Sequence, residues 1–194
     1  MIPAGQLTGA VLAGGESRRM GRDKATLVVG DLPLWQRQVK ILRDAGASLV
    51  GVVRRPGQPP LPLPADIPLW QDAVSGIGPL AGLHAALTTC RTPWLAVVAT
   101  DLPRLEAGWF QWLAGLCSPG RGVMARLPDG PFEPLAAIYP KAALAEVTRR
   151  LAGPEYSLQS LAATLVAQQH LVTVTVPETE LGQLENWNTP AEAR

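Results

Sequence analysis

The sequence predicts an α/β domain in which a mainly parallel, doubly wound sheet is flanked by helices. Short apolar runs alternate with stretches long enough for amphipathic helices, which is the pattern of strand–helix–strand units. Residues 94–99 hold no polar side chain, as expected for a parallel strand covered on both faces. With 194 residues, of which 47% are hydrophobic and 17% charged, the chain fits one globular domain. Together these observations predict a single-domain, Rossmann-like sheet.

The first half of the chain follows this pattern element by element. Pro33 suits the first position of a helix, and Gly46 suits the end of that helix. The proline-rich stretch 54–64 cannot be helical, because proline lacks the N–H group and clashes with the preceding turn. The predicted strands are residues 7–11, 49–53, 67–70 and 94–99, and the predicted helices are residues 33–45 and 80–89.

The second half is less regular, but it predicts the same two kinds of element. Trp109, Phe110, Trp112, Leu113 and Leu116 place an apolar face on one helix, and we expect these aromatic side chains to lie in the core. Further helices are predicted at 141–151 and 158–168, and strands at 123–127, 134–139 and 171–176, with a turn at 128–130. No internal repeat and no linker divides the chain.

Residues 12–24, which follow the first predicted strand, form a segment that we call the signature loop. It reads Leu-Ala-Gly-Gly-Glu-Ser-Arg-Arg-Met-Gly-Arg-Asp-Lys. Gly14 and Gly15 allow backbone torsions closed to other residues and let a ligand approach the main chain. A turn of this kind directs several backbone N–H groups toward one point, which suits a phosphate.

Cations in the signature loop strengthen the prediction of a polyphosphate site. Arginines such as Arg18 and Arg19 can grip phosphate oxygens with two hydrogen bonds, whereas Lys24 acts as a compact charge. Taken alone, Gly-Gly also fits a plain tight turn, and the cations also fit a solvated surface. The loop is not a dinucleotide fingerprint, because the third glycine is missing, and the chain contains no P-loop motif.

The whole signature loop closely resembles the motif L-A-G-G-x-S-R-R-M-G-x-D-K of the molybdenum cofactor guanylyltransferases, a MobA-like branch of the nucleotidyltransferase superfamily. Further segments agree with this resemblance at 33–36, 78–83 and 186–190. The resemblance implies a nucleotidyltransferase-type fold over residues 1–194. It also implies a nucleotide-binding half (about 5–105) and an acceptor-binding half (about 106–194).

Asp101 is the predicted metal ligand. It directly follows a buried strand, where an aspartate also fits a turn or a helix N-cap. Mg²⁺ typically takes one or two carboxylates together with phosphate oxygens and water. The resemblance places the family's metal-binding aspartate here, and it implies Mg²⁺ as the cofactor and Arg19, Lys24 and Asp101 as catalytic residues.

Asp72 precedes a glycine-rich turn that it could cap, and its carboxylate could also accept hydrogen bonds from a guanine or a ribose. The family has Leu-Ala-Gly-Gly in its guanylyl branch and Leu-Ala-Ala-Gly in a cytidylyl branch, so Gly14 favours GTP over CTP. The nucleotide-binding residues implied by the resemblance are Leu12, Ala13, Gly14, Gly15, Arg18, Lys24, Asp72, Gly78, Pro79, Leu80 and Asp101.

The acceptor side rests on fewer residues. Asn186 and Asn188 could cap the turn before Pro190, and the resemblance places both at the pterin. The segment 133–135 also resembles a family segment, with weaker support. The chain departs from the family near the end of its second main strand, where an asparagine is common and Arg54 or Arg55 is the candidate replacement.

Composition excludes several other classes of protein. A net charge of +1 gives no reason to expect a nucleic acid or a membrane as partner. We see no apolar run long enough to span a bilayer and no signal peptide, and we expect a cytoplasmic protein in which Cys90 and Cys117 are reduced and structural. His84 and His170 have no triad-like neighbours, so we do not expect them to act in catalysis.

The predicted reaction transfers GMP from GTP to the terminal phosphate of molybdopterin and releases pyrophosphate. The alternatives are a CTP-dependent transferase acting on molybdopterin or a sugar 1-phosphate, and a non-catalytic nucleotide- or pterin-binding protein. GTP and molybdopterin are the expected substrates, and other cofactor-biosynthesis proteins and molybdoenzyme chaperones are candidate partners.

Overall fold

A computed structural model of the protein describes residues 1–15, 23–72, 77–128 and 130–187. The predicted contacts of Arg18, Arg19 and Asn188, and part of the predicted turn at 128–130, lie outside these residues. The described strands are β1 (Leu7–Leu12), β2 (Val28–Val29), β3 (Leu32–Pro33), β4 (Leu49–Arg54), β5 (Leu69–Gln71), β6 (Trp94–Ala99), β7 (Gly122–Arg126), β8 (Ala136–Pro140) and β9 (Leu171–Thr175). The helices are α1 (Leu34–Asp44), α2 (Pro79–Thr89), α3 (Ala107–Leu116), α4 (Ala143–Leu151) and α5 (Leu158–Ala167), and 3₁₀ segments cover Lys24–Thr26 and Glu178–Leu184.

The main sheet has seven described strands in the order β5-β4-β1-β6-β8-β7-β9. Among them β8 alone runs against its neighbours, because β6 and β7 both pair with it in antiparallel fashion while the other pairs are parallel. The predicted single-domain, mainly parallel sheet is therefore confirmed. The reversed direction of β8 was not predicted.

Two apolar layers cover the sheet, as the wholly apolar strands predicted. In β6, Ala96 and Val98 face the layer that contains α1 and α3, whereas Leu95 and Val97 face the layer of α2, α4 and α5. All six residues of β6 are buried. A side chain such as Leu95, which is removed fully from water, contributes about 1.5–3 kcal/mol to stability.

Two details differ from the predicted elements. Pro33 is the N-cap of α1 rather than its first residue, because it pairs with Val28 in a short hairpin that holds it in an extended conformation. Leu116, the last residue of α3, is 43% exposed, although Trp109, Phe110 and Leu113 of the same helix are buried as predicted. Cys90 and Cys117 are free, buried and placed at the ends of α2 and α3.

Candidate active site

The loops that carry the predicted site leave one edge of the sheet at the same level. Leu12 pairs with Val53 of β4 on one side and with Ala99 of β6 on the other. The carboxyl ends of these three parallel strands therefore meet where strand order reverses, which is where ligands bind in open α/β sheets. The backbone N–H of Asp72 donates to the carbonyl oxygen of Arg54 (3.2 Å), so the loop after β5 joins the same edge.

Lys24 and Asp101 face each other at this edge. Nζ of Lys24 lies 3.9 Å from Oδ2 of Asp101, and their side chains are 18% and 30% exposed. Burial raises the pKa of the Asp101 carboxyl, and the positive charge of Lys24 lowers it in part. A cation and a carboxylate, both partly exposed, thus lie together at the carboxyl edge of the sheet.

At the beginning of the signature loop, the main chain rather than the side chains is available for contact with a ligand. Leu12 and Ala13 are buried, and the N–H of Ala13 is bonded to Val53 (2.9 Å). A Cβ at Gly14 would lie 3.2 Å from Cγ of Arg55, which is closer than most side chains allow. Gly15 is exposed, and no atom of the described residues lies within 4 Å of a Cβ built on it.

Asp72 is buried with part of its bonding capacity unused. The residue is 3% exposed, and its Oδ1 accepts no hydrogen bond from the part of the chain that the structure describes. Burial raises the pKa of its carboxyl, and the positive charge of Arg55 lowers it. An unsatisfied buried acceptor costs about 1–3 kcal/mol, so a bound donor at this position would be favoured.

The segment that starts with Gly78 opens helix α2. Gly78 is the N-cap with φ +74°, a conformation that favours glycine, and Pro79 occupies the first turn. Gly78 makes no side-chain cap, and its exposed end of the helix carries the positive pole of the helix dipole. Leu80 is completely buried in the core, so only its main chain can meet a nucleotide.

The C-terminal segment returns to Asp101. The N–H of Trp187 donates to the carbonyl oxygen of Asp101 (2.9 Å), and Gln183 accepts from the N–H of Glu106 (3.0 Å). Asn186 is exposed beside this contact. The structure therefore brings the predicted acceptor segment to the predicted metal ligand.

Glu133, which the family resemblance supported only weakly, lies at the same edge of the sheet. Val98 pairs with Ala136 across β6 and β8, and the N–H of Ala99 donates to Leu135 (3.0 Å). Continuing this antiparallel register places Asp101 opposite Glu133. Burial, with a smaller effect from the negative charge of Asp101, raises the pKa of Glu133 to about 7. The signal was missed because pairing register between distant segments cannot be read from local sequence.

Asp101, with Glu133 near it, fits a divalent cation in the way that nucleotide enzymes use one. Within residues 1–15, 23–72, 77–128 and 130–187, no group of three or more His, Cys, Asp or Glu side chains could hold a metal by itself. Mg²⁺ and similar hard cations need only one or two carboxylates when phosphate oxygens and water complete their shell. The donor set therefore suits a cation that arrives with a phosphate ligand.

Arg54 and Arg55 differ in their surroundings. Arg54 is 3% exposed and bonded to protein groups, so it is not placed as a nucleotide contact. Arg55 is half-buried and lies close enough to Asp72 to lower the pKa of that carboxyl. Of the two candidate replacements for the family asparagine, Arg55 is the one beside a predicted nucleotide contact.

No described helix has the length and apolarity needed to cross a bilayer.

Solved structures define the class of fold. Molybdopterin-guanine dinucleotide biosynthesis protein A from Archaeoglobus fulgidus superposes with a TM-score of 0.70 at 21% identity, covering 96% of this chain and 94% of that one. A Mycobacterium tuberculosis protein solved in complex with manganese superposes with a TM-score of 0.61 at 19% identity, covering 90% and 89%. The chain thus has the fold of a nucleotidyltransferase-type α/β domain.

Sequence similarity then identifies the family. The family described as the MobA-like NTP transferase domain matches residues 9–177. A protein from Opitutus terrae named "probable molybdenum cofactor guanylyltransferase" is 48% identical, covering 97% of this chain and 94% of its own length. The chain belongs to the MobA-like NTP transferase family, as its signature loop predicted.

Proposed function

We propose that this protein transfers GMP from GTP to the terminal phosphate of molybdopterin, forming the guanine dinucleotide cofactor and pyrophosphate. The observation that carries the proposal is the meeting of Lys24 and Asp101, 3.9 Å apart, at the edge where the signature loop leaves β1. Family membership, and a relative named as a guanylyltransferase, support the choice of reaction.

GTP would bind along the loops after β1 and β5. The backbone of Leu12 to Gly15 and the side chain of Lys24 would hold the phosphates, with Arg18 or Arg19 at the pyrophosphate that leaves. Asp72 would accept a hydrogen bond from the guanine or the ribose through Oδ1, which has no donor among the described residues. The exposed start of α2, at Gly78, Pro79 and the main chain of Leu80, would complete the nucleotide site.

A divalent metal, which we propose to be Mg²⁺, would be held by Asp101. When bound, it supplies positive charge that offsets the negative charge of the triphosphate. The fit rests on the carboxylate of Asp101 and the neighbouring Glu133, and it is supported by the manganese complex of the Mycobacterium tuberculosis protein with this fold.

The acceptor would approach from the side of the C-terminal segment, with Asn186 and Asn188 as its contacts. An oxygen of its terminal phosphate would form a bond to the α-phosphorus of GTP, while the bond between that phosphorus and the β-bridging oxygen breaks. Such a phosphate is already ionised at neutral pH, since its second pKa is near ~6, so no general base is needed. Holding both reactants in line supplies about 7–11 kcal/mol of the barrier, and Lys24 adds electrostatic stabilisation.

We further propose that the enzyme works in the cytoplasm, in keeping with its two free, buried thiols. Other cofactor-biosynthesis proteins and molybdoenzyme chaperones are its proposed partners.

The test is pyrophosphate release by the purified protein with Mg²⁺, molybdopterin and either GTP or CTP. We expect release with GTP, none without molybdopterin, and much less with CTP. A preference for CTP would keep the fold and the mechanism but reject guanine as the base. Binding of GTP without release under any of these conditions would reject the transfer reaction.

A further inference from the structure

Arg54 connects three separate segments at the edge of the sheet. Its Nη1 lies 2.7 Å from Oδ2 of Asp23 and donates to the carbonyl oxygen of Ala13 (3.3 Å). Its Nη2 donates to the carbonyl oxygen of Pro59 (2.6 Å). Ala13 and Asp23 lie near the two ends of the signature loop, and Pro59 belongs to the proline-rich loop after β4. One guanidinium therefore ties both ends of the signature loop to a rigid strand.

Asp23 passes this restraint on to Lys24. Its Oδ2 faces Arg54, while its Oδ1 accepts a hydrogen bond from the N–H of Ala25 (3.0 Å) and so caps the 3₁₀ segment Lys24–Thr26. The two oxygens of one carboxylate thus fix the start of this segment from both sides. Lys24 is its first residue, and its amine lies 3.9 Å from Asp101.

The burial of this pair favours a positioning role over a stabilising one. The side chains of Arg54 and Asp23 are only 4% and 19% exposed. A buried ion pair contributes little net stability, because removing both charges from water costs about as much as their attraction returns. The planar fork of arginine directs its hydrogen bonds to Ala13 and Pro59, which a flexible lysine cannot do, whereas its contact with Oδ2 of Asp23 is an ion pair without hydrogen-bond geometry.

We infer that Arg54 is a positioning residue, which holds the signature loop through Asp23 and Ala13 so that Lys24 meets the phosphates of the nucleotide. The inference rests on the proposed function, in which Lys24 binds the triphosphate.

The experiment compares wild type with Arg54→Met, Arg54→Lys, Asp23→Asn and the double variant Arg54→Met/Asp23→Asn. Asparagine at 23 keeps an acceptor for the cap but removes the charge that faces Arg54. The constants measured are KM for GTP, KM for molybdopterin and kcat, together with the inhibition constants of inorganic tripolyphosphate and of guanosine. Tripolyphosphate reports the phosphate side of the site, and guanosine reports the base side.

We expect Arg54→Met to lower kcat/KM for GTP by roughly 10²-fold, since displacing a binding group by about 1 Å has an effect of this size. Tripolyphosphate should inhibit it roughly tenfold or more weakly, as for the loss of a charged hydrogen bond. Its inhibition by guanosine and its KM for molybdopterin should stay at the wild-type values. Arg54→Lys should recover part of the loss. The double variant should be no worse than the poorer single variant, because either single change already removes the Arg54–Asp23 contact.

Arg43→Met is the matched control. Arg43 forms an ion pair of the same 2.7 Å length with Asp66, but both side chains are largely exposed, so its kinetics should equal those of wild type. Thermal unfolding of every variant separates positioning from loss of folded protein, since a smaller folded fraction lowers kcat and leaves each KM unchanged.

Equal weakening of guanosine and tripolyphosphate, or additive effects of the two single changes, would overturn the inference. The wild-type assay with GTP tests the proposed function by itself. The affinity for tripolyphosphate can be measured by direct binding, without turnover. The ratio of this affinity between variant and wild type therefore tests the role of Arg54 separately.

Discussion

Each of the two carboxylates Asp101 and Asp72 lies near a positively charged side chain. In the proposed reaction, the triphosphate would bind the cation next to Asp101. Burial raises the pKa of the Asp101 carboxyl, and the positive charge of Lys24 partly reverses this rise. Arg55 has the same effect on the pKa of Asp72. When a triphosphate takes up Lys24, the carboxylate of Asp101 is left with a stronger need for positive charge. A metal ion that enters with the nucleotide would meet that need, so binding of the two should be coupled.

Asp101→Asn should lose nearly all turnover, because the substitution removes the charge that holds the metal while keeping the shape of the side chain. Two measurements check this: pyrophosphate release at saturating GTP, and Mn²⁺ affinity in the presence of GTP by electron paramagnetic resonance. Asp66→Asn is the control, since the side chain of Asp66 is 66% exposed and lies in a surface ion pair. Turnover within a few-fold of wild type in Asp101→Asn would reject Asp101 as the metal ligand.

Asp72→Ala should lower kcat/KM for GTP by roughly 10–100-fold, the size expected for a lost hydrogen bond to a charged group. The reason is that the buried Oδ1 of Asp72 accepts no hydrogen bond from any residue that the structure describes. Comparing GTP with 2′-deoxy-GTP and ITP in wild type and variant identifies the donor. If the ribose 2′-hydroxyl donates, kcat/KM for 2′-deoxy-GTP should be the same in wild type and variant. If the guanine amino group donates, kcat/KM for ITP should be the same in both. Equal losses for all three nucleotides would assign the donor to the N1–H of the base or to the ribose 3′-hydroxyl, which all three retain. No loss with any of them would argue against a direct contact.

At the scale of elements, a charged cluster joins α4 to α5. Glu146 accepts hydrogen bonds from Arg149 (2.8 and 2.6 Å) and from Arg150 (3.0 Å), and Arg150 also donates to Ser160 and Thr164 of α5. The hydrogen bonds from Arg149, and then those from Arg150, lower the pKa of Glu146 from 4.5 to about 2. This cluster lies on the sheet face opposite α1 and α3.

Glu146→Gln should therefore change how stability depends on pH. A carboxyl whose pKa is lower in the folded state stabilises the fold above its unfolded pKa, and this stability is lost as the pH falls from about 4.5 toward about 2. The denaturation midpoints of wild type and variant should thus differ most near pH 7 and converge only as the pH approaches about 2. The exposed Glu178→Gln is the control. A difference that stays constant with pH would show that the carboxylate charge is not the cause.

Local sequence predicted these elements well where one physical signal dominated. The apolar runs of β1 and β6 gave correct assignments, because the burial of a strand on both faces is visible within a few residues. Pro33 was predicted to be the first residue of α1, but it is the N-cap, one position earlier, because it pairs with Val28 in a short hairpin. The role of Arg54 could not be predicted from the sequence, because its partners Ala13 and Asp23 lie far from it in the chain.

At the scale of the whole molecule, the alternation of elements predicted the mainly parallel sheet, whose carboxyl edge brings together Asp72, Asp101 and the described ends of the signature loop. It could not predict that β8 is reversed, since the direction of a strand depends on which neighbour it pairs with and not on its own periodicity. The proximity of Glu133 to Asp101 follows from that reversal, and it was missed for the same reason.

Asn186→Ala should raise KM for molybdopterin and leave KM for GTP unchanged, because Asn186 lies on the segment that reaches Asp101 from the second half of the chain. Steady-state pyrophosphate release with each substrate varied in turn measures both constants. Glu185→Gln, which alters only an exposed ion pair with Arg104 next to Asn186, is the control. A higher KM for GTP in Asn186→Ala would assign this residue to the nucleotide instead.

The insertion of β8 between β6 and β7 also bears on how the chain avoids aggregation. All parallel pairs among β1, β4, β5 and β6 can form before residue 100, but β6 then has a bare edge of six apolar residues until β8 docks against it. An exposed, apolar edge strand is a template for pairing with other chains. The two proposed halves should therefore not survive as separate proteins: a fragment that ends before β8 would self-associate through β6, however well it could hold a nucleotide.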